Sequence, residues 1–316
     1  MSIVEANEVH KTFSSKSRFG GAVRTVRAVR GISLSLGPDR TLALVGESGC
    51  GKSTLAGMLL GLSAPSEGMV RIKGATTSEL SRQAIANAVQ PVFQDPYVSL
   101  NPRKTVEQIV RLPLVAAGRG NRTEQIERVH EMLELVGLPA DFSGRMPRQL
   151  SGGQRQRVSI ARSLVAEPQA LICDEPTSAL DVSVQAQIIN LLLELRGRLR
   201  LSYLLITHNL AVVDQLADET AVMYFGRLIE VGRTRDVLDR PLHPYTLMLR
   251  QAVLEPTVGQ KLTAPLDAAV MPNPMQAHRG CPFRARCSRA SSICEDMEPP
   301  LVEISGRRIA CHNPLH

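Results

Sequence analysis

The chain has 316 residues, 43% hydrophobic and 21% charged, with a formal net charge of +7. That balance fits one large folded domain with appendages. No run approaches the ~18 apolar residues that would cross a membrane, and Glu5 and Glu8 precede any apolar run, so neither a membrane span nor a secretory signal is expected. The basic excess gathers partly in Lys11, Lys16, Arg18, Arg24, Arg27, Arg30 and Arg40. It suits nucleic acid, an anionic membrane surface, or simply a solvated face. With 3% aromatics and no Trp there is little to stack bases on, and nucleic acid is not expected as a partner.

In chain order, Ile3–Val9 and Val29–Leu36 read as short strands. Thr41–Val45 is a β-prone apolar run that ends in a Gly-rich loop, and Lys52–Gly61 follows as a helix. Gly68–Ile72 returns as a strand. From about 76 the texture turns helical. Asn121 with Glu124 forms a capping pattern; Ile126, Val129, Leu133 and Val136 repeat at helical spacing, and Gly137 and Pro139 end the run. A helix runs from Ser151 to about Ala166, and Ala170–Cys173 is a buried strand. Val184, Ile188, Leu192, Leu195 and Leu199 mark a long amphipathic helix ahead of the apolar strand Ser202–Ile206. This alternation predicts an α/β fold with a mainly parallel sheet covered on both faces, interrupted by a helical insertion at about 76–165. After Leu254, eight prolines punctuate a stretch without strand or helix period, which reads as a linker and a small loop-rich module.

Three motifs carry chemistry. Gly46, Glu47, Ser48, Gly49, Cys50, Gly51, Lys52, Ser53 and Thr54 fit the P-loop, with a strand before and a helix after. Small residues let backbone N–H groups turn inward on phosphate, and the helix starting near Lys52 aims its positive end there. Lys52 is expected to reach the β- and γ-phosphates and Ser53 to ligate Mg²⁺. Cys50 reads as a tolerated small residue. In Ala170–Glu175, four apolar residues carry two carboxylates to a strand's C-terminal end, where open α/β sheets bind ligands. Asp174 is placed to hold Mg²⁺, and Glu175 to orient or deprotonate the attacking water. The run Leu150-Ser-Gly-Gly-Gln-Arg-Gln-Arg157 puts Ser151, Gly152, Gly153 and Gln154 at a helix start, a second anion cradle. One nucleotide does not need two cradles from one chain, but two chains packed head to tail would use both.

With that signature the chain resembles the ATP-binding subunits of ABC transporters over roughly residues 1–250. The resemblance implies a P-loop NTPase core with an antiparallel β subdomain, and ATP and Mg²⁺ as cofactors. It also assigns further roles. Gln94, in Val92-Phe-Gln-Asp-Pro-Tyr97, matches the glutamine that senses Mg²⁺ and the membrane partner. Ser178–Asp181 matches the D-loop, with Asp181 at the dimer interface. His208 matches the switch histidine at the γ-phosphate. Phe13 stands near the place of the adenine-stacking aromatic, though packing explains it equally well. Asn209 departs from the Asp often found after the switch histidine.

A closer resemblance, to the oligopeptide/dipeptide importer ATPases, lies in Phe93–Arg103, Asp181–Gln187, His243–Thr246 and the Cys-bearing tail. It implies an ATPase that energises import of peptides, or of nickel, glutathione or sugars in related systems. The implied partners are a second, non-identical ATPase subunit, two transmembrane permease subunits and an extracytoplasmic solute-binding protein. The chain would then lie peripherally on the cytoplasmic face of the membrane, with a nucleotide-binding domain at 1–253 and a linker and Cys module at 254–316. A soluble ABC ATPase acting on ribosomes or nucleic acid is the alternative. Such proteins usually carry paired cassettes or long coiled coils, and neither occurs here.

Cys281, Cys287, Cys294 and Cys311 are separated by five, six and sixteen residues. Disulfides are disfavoured in a reducing compartment. Zinc competes for such a set but usually takes shorter Cys-x₂₋₄-Cys hooks. The wider spacings suit four thiolates on a [4Fe–4S] cluster, although they are not ferredoxin spacings. The family tail, not the spacing, favours iron–sulfur, and free reduced thiols are the third reading.

Overall fold

The computed structural model describes residues 2–15, 24–253 and 279–315. Strands β1 (Val4–Ser15) and β2 (Arg24–Leu36) form a long antiparallel pair. They lead into β3 (Thr41–Val45) and helix α1 (Lys52–Leu59). Strands β4 (Glu67–Ile72) and β5 (Ala75–Thr76) return to the antiparallel sheet, whose order is β2-β1-β4-β5. Helix α2 (Arg82–Ala88) then turns into β6 (Val89–Val92).

A helical lobe follows: α3 (Pro96–Ser99), α4 (Val106–Ala117), α5 (Arg122–Leu135) and α6 (Gly152–Leu164). The Asn121–Glu124 capping box starts α5, and Gly137 at φ 72° follows its end. The core resumes with β7 (Ala170–Asp174), α7 (Val182–Leu199), β8 (Ser202–Thr207), α8 (Leu210–Leu216), β9 (Glu219–Tyr224) and β10 (Arg227–Arg233). Helices α9 (Thr234–Asp239) and α10 (Pro244–Val253) lead to the tail, which holds α11 (Ile293–Asp296), β11 (Val302–Ile304) and β12 (Arg307–Ile309).

The second sheet has the order β11-β12-β10-β9-β3-β8-β7-β6. From β9 to β6 the pairings are parallel, and from β9 to β11 antiparallel. The parallel strands β3, β7 and β8 are almost wholly buried, as strands covered on both faces must be. One apolar layer joins α4–α7 to the sheet through Val110, Leu133, Ile160, Leu171 and Leu192. The opposite layer joins α1 and the antiparallel sheet through Ile32, Leu44, Met58, Ile72 and Ile206.

Two features differ from the sequence reading. The span taken as an insertion, 76–165, contains α2 and β6, and β6 is a parallel neighbour of β7 in the core sheet. The lobe proper therefore starts after β6; four strand residues are too few for a period to show among helical neighbours. The tail is also more than loops. Its hairpin β11–β12 extends the core sheet by pairing with β10. Residues 254–278, with their prolines, lie outside the described part, as do Lys16 and Arg18.

Buried and half-buried polar contacts pin the tail to the core. Arg307 pairs with the fully buried Glu230 at 3.2 Å and donates to the carbonyls of Asp236 and Arg240. Glu298 accepts from Arg30 and Arg227 at 2.8 and 3.1 Å. Such pairs fix orientation more than they add stability, because each ion must first lose water.

Candidate nucleotide site

Adjacent strands β6, β7, β8 and β3 all end at one edge of the sheet, and the loop after each carries a candidate residue. This is the carboxyl edge, where open parallel sheets bind ligands.

After β3 the chain turns tightly into α1. Gly46 and Gly51 have φ of 154° and 107°, and a Cβ at either would come within 2.2 Å of a backbone carbonyl, of Met223 and Ala28 respectively. Only glycine fits there. The first turn of α1 has no side-chain cap and no acidic residue, so its N–H groups keep their attraction for an anion. Lys52 is buried and folds back over the loop, donating to the carbonyls of Gly46 and Glu47 at 2.6 and 2.9 Å. Cys50 is buried too, and burial raises its thiol above the ordinary range, which suits a packing role.

β7 delivers Asp174 and Glu175. Burial raises the Asp174 carboxyl, a hydrogen bond from Ser53 opposes that rise, the charge of Glu175 adds to it and Lys52 opposes it. Ser53 and Asp174 thus already face each other as a pair that could share one cation. Mg²⁺ takes few protein ligands and completes its shell with water and phosphate. Glu175 sits in the left-handed region at φ 45°, its N–H held by the Ile206 carbonyl at 2.8 Å. One carboxylate oxygen accepts from Gln94 Nε2 at 2.8 Å, and the other meets His208 Nδ1 at 3.0 Å. The loops after three neighbouring strands thus converge on one carboxylate.

The remaining candidates stand apart. Ser151 caps α6 in a reciprocal box with Gln154: each backbone N–H donates to the other's side chain, at 2.9 and 3.3 Å. The N–H groups of Gly152 and Gly153 are not part of that box. The structure adds a packing reason for these glycines beside the expected approach of phosphate. Gly153 is buried, and a Cβ on it would lie 2.5 Å from Val184 Cγ1 of α7; one on Gly152 would lie 3.2 Å from Leu180. Helix packing alone requires glycine at 153. Asp181 caps α7, accepting from Val184 N–H at 2.9 Å and Ser183 Oγ at 2.7 Å, and these bonds lower its carboxyl pKa. Phe13 is half exposed on β1, with Lys11 Nζ 5.5 Å from its ring centroid. Asn209 caps α8 through Ala211 N–H at 3.0 Å, a task that Asn performs as well as Asp.

In the tail, the thiols of Cys281, Cys287 and Cys311 are all raised, first by burial and then by the negative charge of other tail cysteines, Cys294 in every case. The Cys281 N–H donates to the Cys294 carbonyl at 2.8 Å. Cys281 and Cys287 both pack against the apolar cluster of Tyr224, Tyr245 and Phe283. Among the described residues, however, no three His, Cys, Asp or Glu side chains are arranged to hold a metal ion.

The family model described as ABC transporter matches residues 29–178. That of the oligopeptide/dipeptide transporter C-terminal region matches 229–294. The oligopeptide transport ATP-binding protein AppF of Bacillus subtilis is 42% identical, over 98% of this chain and 97% of its own length. The chain belongs to the ATP-binding proteins of ABC transporters. This ABC ATPase is also 39% identical to the dipeptide transport ATP-binding protein DppF of Escherichia coli, over 98% of this chain and 93% of the relative. Among solved structures, it is similar to the ATP-binding cassette MJ0796 in a dimeric post-hydrolysis state bound to ADP and Pi. The TM-score is 0.64 at 29% identity, over 73% of this chain and 99% of that one. It is likewise similar to cbiO1 of Clostridium perfringens, with TM-score 0.64 and 30% identity over 76% and 91%. As a member of the family it is an ATPase that uses ATP and Mg²⁺. Among the described residues, no helix of this ABC ATPase is long and apolar enough to cross a membrane.

The sequence reading missed Arg286 and Tyr245, which bond to Glu47 of the P-loop from the tail and α10. No local signal marks them, since their partners are 239 and 198 residues away.

Proposed function

We propose that this ABC ATPase energises the import of peptides by an ABC transporter complex, working as one of two ATPase subunits on the cytoplasmic face of the membrane. The observation that carries the chemical half is the Glu175 carboxylate held between Gln94 and His208 at the ends of three adjacent strands. The match of the tail to the oligopeptide/dipeptide transporter region, and relatives named for peptide transport along nearly the whole chain, support the cargo.

In this reading Lys52 leaves the carbonyls of Gly46 and Glu47 for phosphate oxygens, while the start of α1 supplies N–H donors. Ser53, Asp174 and Gln94 would hold Mg²⁺, which when bound would neutralise phosphate charge. Glu175 takes the proton of the attacking water. Each of its oxygens keeps a second lone pair beyond those used by Gln94 and His208, so it can be oriented and still accept. Phe13 offers a face to the adenine. Ser151, Gly152 and Gly153 act on the nucleotide of a second, non-identical cassette, with Asp181 near the join. The lobe α3–α6 and the loop of Gln94 dock two permease subunits fed by a solute-binding protein. Exposed Phe93, Tyr97 and Val98 favour that face.

Cys281, Cys287, Cys294 and Cys311 are proposed to hold a [4Fe–4S] cluster, with zinc the competing metal. Four cysteines in one small module, with Cys281 N–H bonded to the Cys294 carbonyl, support the donor set. The arrangement in the structure is not a closed cage, and no step of hydrolysis passes through it.

The test is uptake of labelled peptides by cells lacking this chain. Uptake should be lost and should return with the native chain but not with Lys52→Ala. Undiminished uptake in the deleted strain would overturn the peptide assignment.

A further inference from the structure

Glu47 places a carboxylate in a loop built to hold phosphate. A phosphate cradle works through inward N–H groups and a cation, and a carboxylate as its second residue works against both. The Glu47 backbone carbonyl accepts from Lys52 Nζ at 2.9 Å, so the main chain that carries this acid touches the cation meant for phosphate. Its side chain, though, points to the tail. Arg286 Nη1 and Nη2 donate to the two carboxylate oxygens at 2.9 and 2.8 Å, a two-pronged pair in which the side chains are 14% and 27% exposed. The Glu47 N–H donates to the Tyr245 hydroxyl oxygen at 2.9 Å. Both ends of the residue are therefore held from outside the loop.

The holders are themselves fixed. Phe283 is buried edge-on against Tyr224 and Tyr245, with ring centroids 5.4 and 5.5 Å apart. It begins the short 3₁₀ turn Arg284–Arg286 that presents Arg286, whose Nη2 also lies 3.4 Å from Met248 Sδ of α10. The planar guanidinium matches a carboxylate with two parallel bonds, a geometry that lysine does not reproduce.

We propose that Arg286 is a positioning residue for the ATP site: it draws the Glu47 carboxylate away from Lys52 and fixes the loop, so that the Cys-bearing module completes the nucleotide site of its own chain. The proposal rests on the P-loop being the ATP site. Without Arg286, a free carboxylate competes with phosphate for Lys52, and binding weakens through charge as well as through lost order. Removing that charge should then repair the defect, which a merely structural role for Arg286 would not allow.

The experiment is titration of the assembled transporter with a fluorescent ATP analogue without Mg²⁺, alongside thermal unfolding. Arg286→Ala should weaken binding about tenfold, and the further change Glu47→Gln should bring it back to within about threefold of native. Turnover at saturating ATP should fall less than about twofold, because the loss lies in binding. Binding by Arg286→Ala within about twofold of native, or a double variant as weak as Arg286→Ala, overturns the proposal. If Arg286→Ala does not assemble, Arg286→Lys with and without Glu47→Gln takes its place. The single change should weaken binding about threefold and the double should repair it, and no change in the single overturns the idea. Lys52→Ala is the separate control: if it binds the analogue as tightly as native, the P-loop reading fails and not the role of Arg286.

Discussion

Gly153 and Val184 touch so closely that no side chain larger than hydrogen fits at 153: a Cβ would come within 2.5 Å of Val184 Cγ1. The signature helix α6 and the helix α7 after the D-loop are therefore locked at their starts. Gly153→Ala should destabilise the protein by about 1–3 kcal/mol through overpacking. Val184→Ala in the same chain should relieve most of that. Thermal unfolding of the two singles and the double checks it, and strictly additive losses would remove the contact as the cause.

That contact decides how the second cradle should be tested. Gly153→Asp would confuse packing with nucleotide contact, whereas Gly152 has more room, at 3.2 Å from Leu180. In a mixed dimer, Gly152→Asp in this chain should abolish hydrolysis at the site whose P-loop lies in the other cassette. Loss confined to this chain's own P-loop site would rule out head-to-tail packing.

Glu175→Gln should keep ATP binding and lose turnover by about 10²–10⁴-fold, the range for a positioned proton acceptor. The amide still meets Gln94 and His208, so the shape of the site survives and the ATP-bound pair of cassettes should accumulate. Steady-state ATPase of the assembled complex surviving within about tenfold, ~1.4 kcal/mol of barrier, would refute the role.

His243 is buried between the core and the tail, and burial lowers its pKa from 6.5 to about 4, partly opposed by a hydrogen bond with the Ala310 backbone. Its Nδ1 accepts from Tyr245 N–H at 3.0 Å, and the paired Glu230 and Arg307 lie beside it. The unfolded chain binds the proton more readily than the folded one between pH 6.5 and 4. Stability is therefore full above that window and falls as pH drops through it, by about 2 kcal/mol from pH 7 to 5. In His243→Asn, whose Oδ1 can take over the acceptor's place, this part of the pH dependence should vanish. Equal slopes for both proteins in unfolding experiments at pH 5 and 7 would show that other groups carry it.

The proposal of a metal in the tail is tested by anaerobic purification followed by iron, zinc and sulfide analysis. Four iron and four sulfide per chain are expected for a [4Fe–4S] cluster. Zinc without iron, or a colourless protein with four free tail thiols, would refute the cluster.

What the sequence made legible follows the range of its signals. The strand–loop–helix around Lys52 and the apolar run into Asp174 and Glu175 are local, so composition and spacing place them on β3, α1 and β7. The mainly parallel sheet follows from the same alternation, whereas the antiparallel subdomain came only with the family resemblance. Gln94 and His208 could be named from their motifs, but that both reach the same carboxylate depends on strand order, which no window contains. Gly153 was visible as a glycine, but its reason, Val184, was not. Strands β11 and β12, three residues each, are too short for a period to stand out.

Strand β12 has a consequence for solubility. A core sheet that stopped at β10 would present the buried run Leu228–Val231 as an open hydrogen-bonding template, the kind of border along which chains stack into aggregates. The hairpin covers that border and replaces it with β11, three residues long, with Val302 and the charged Glu303 exposed to water. Cutting the chain after α10 would thus do more than detach the cysteines. It would unseal one flank of the central sheet and leave a sticky border.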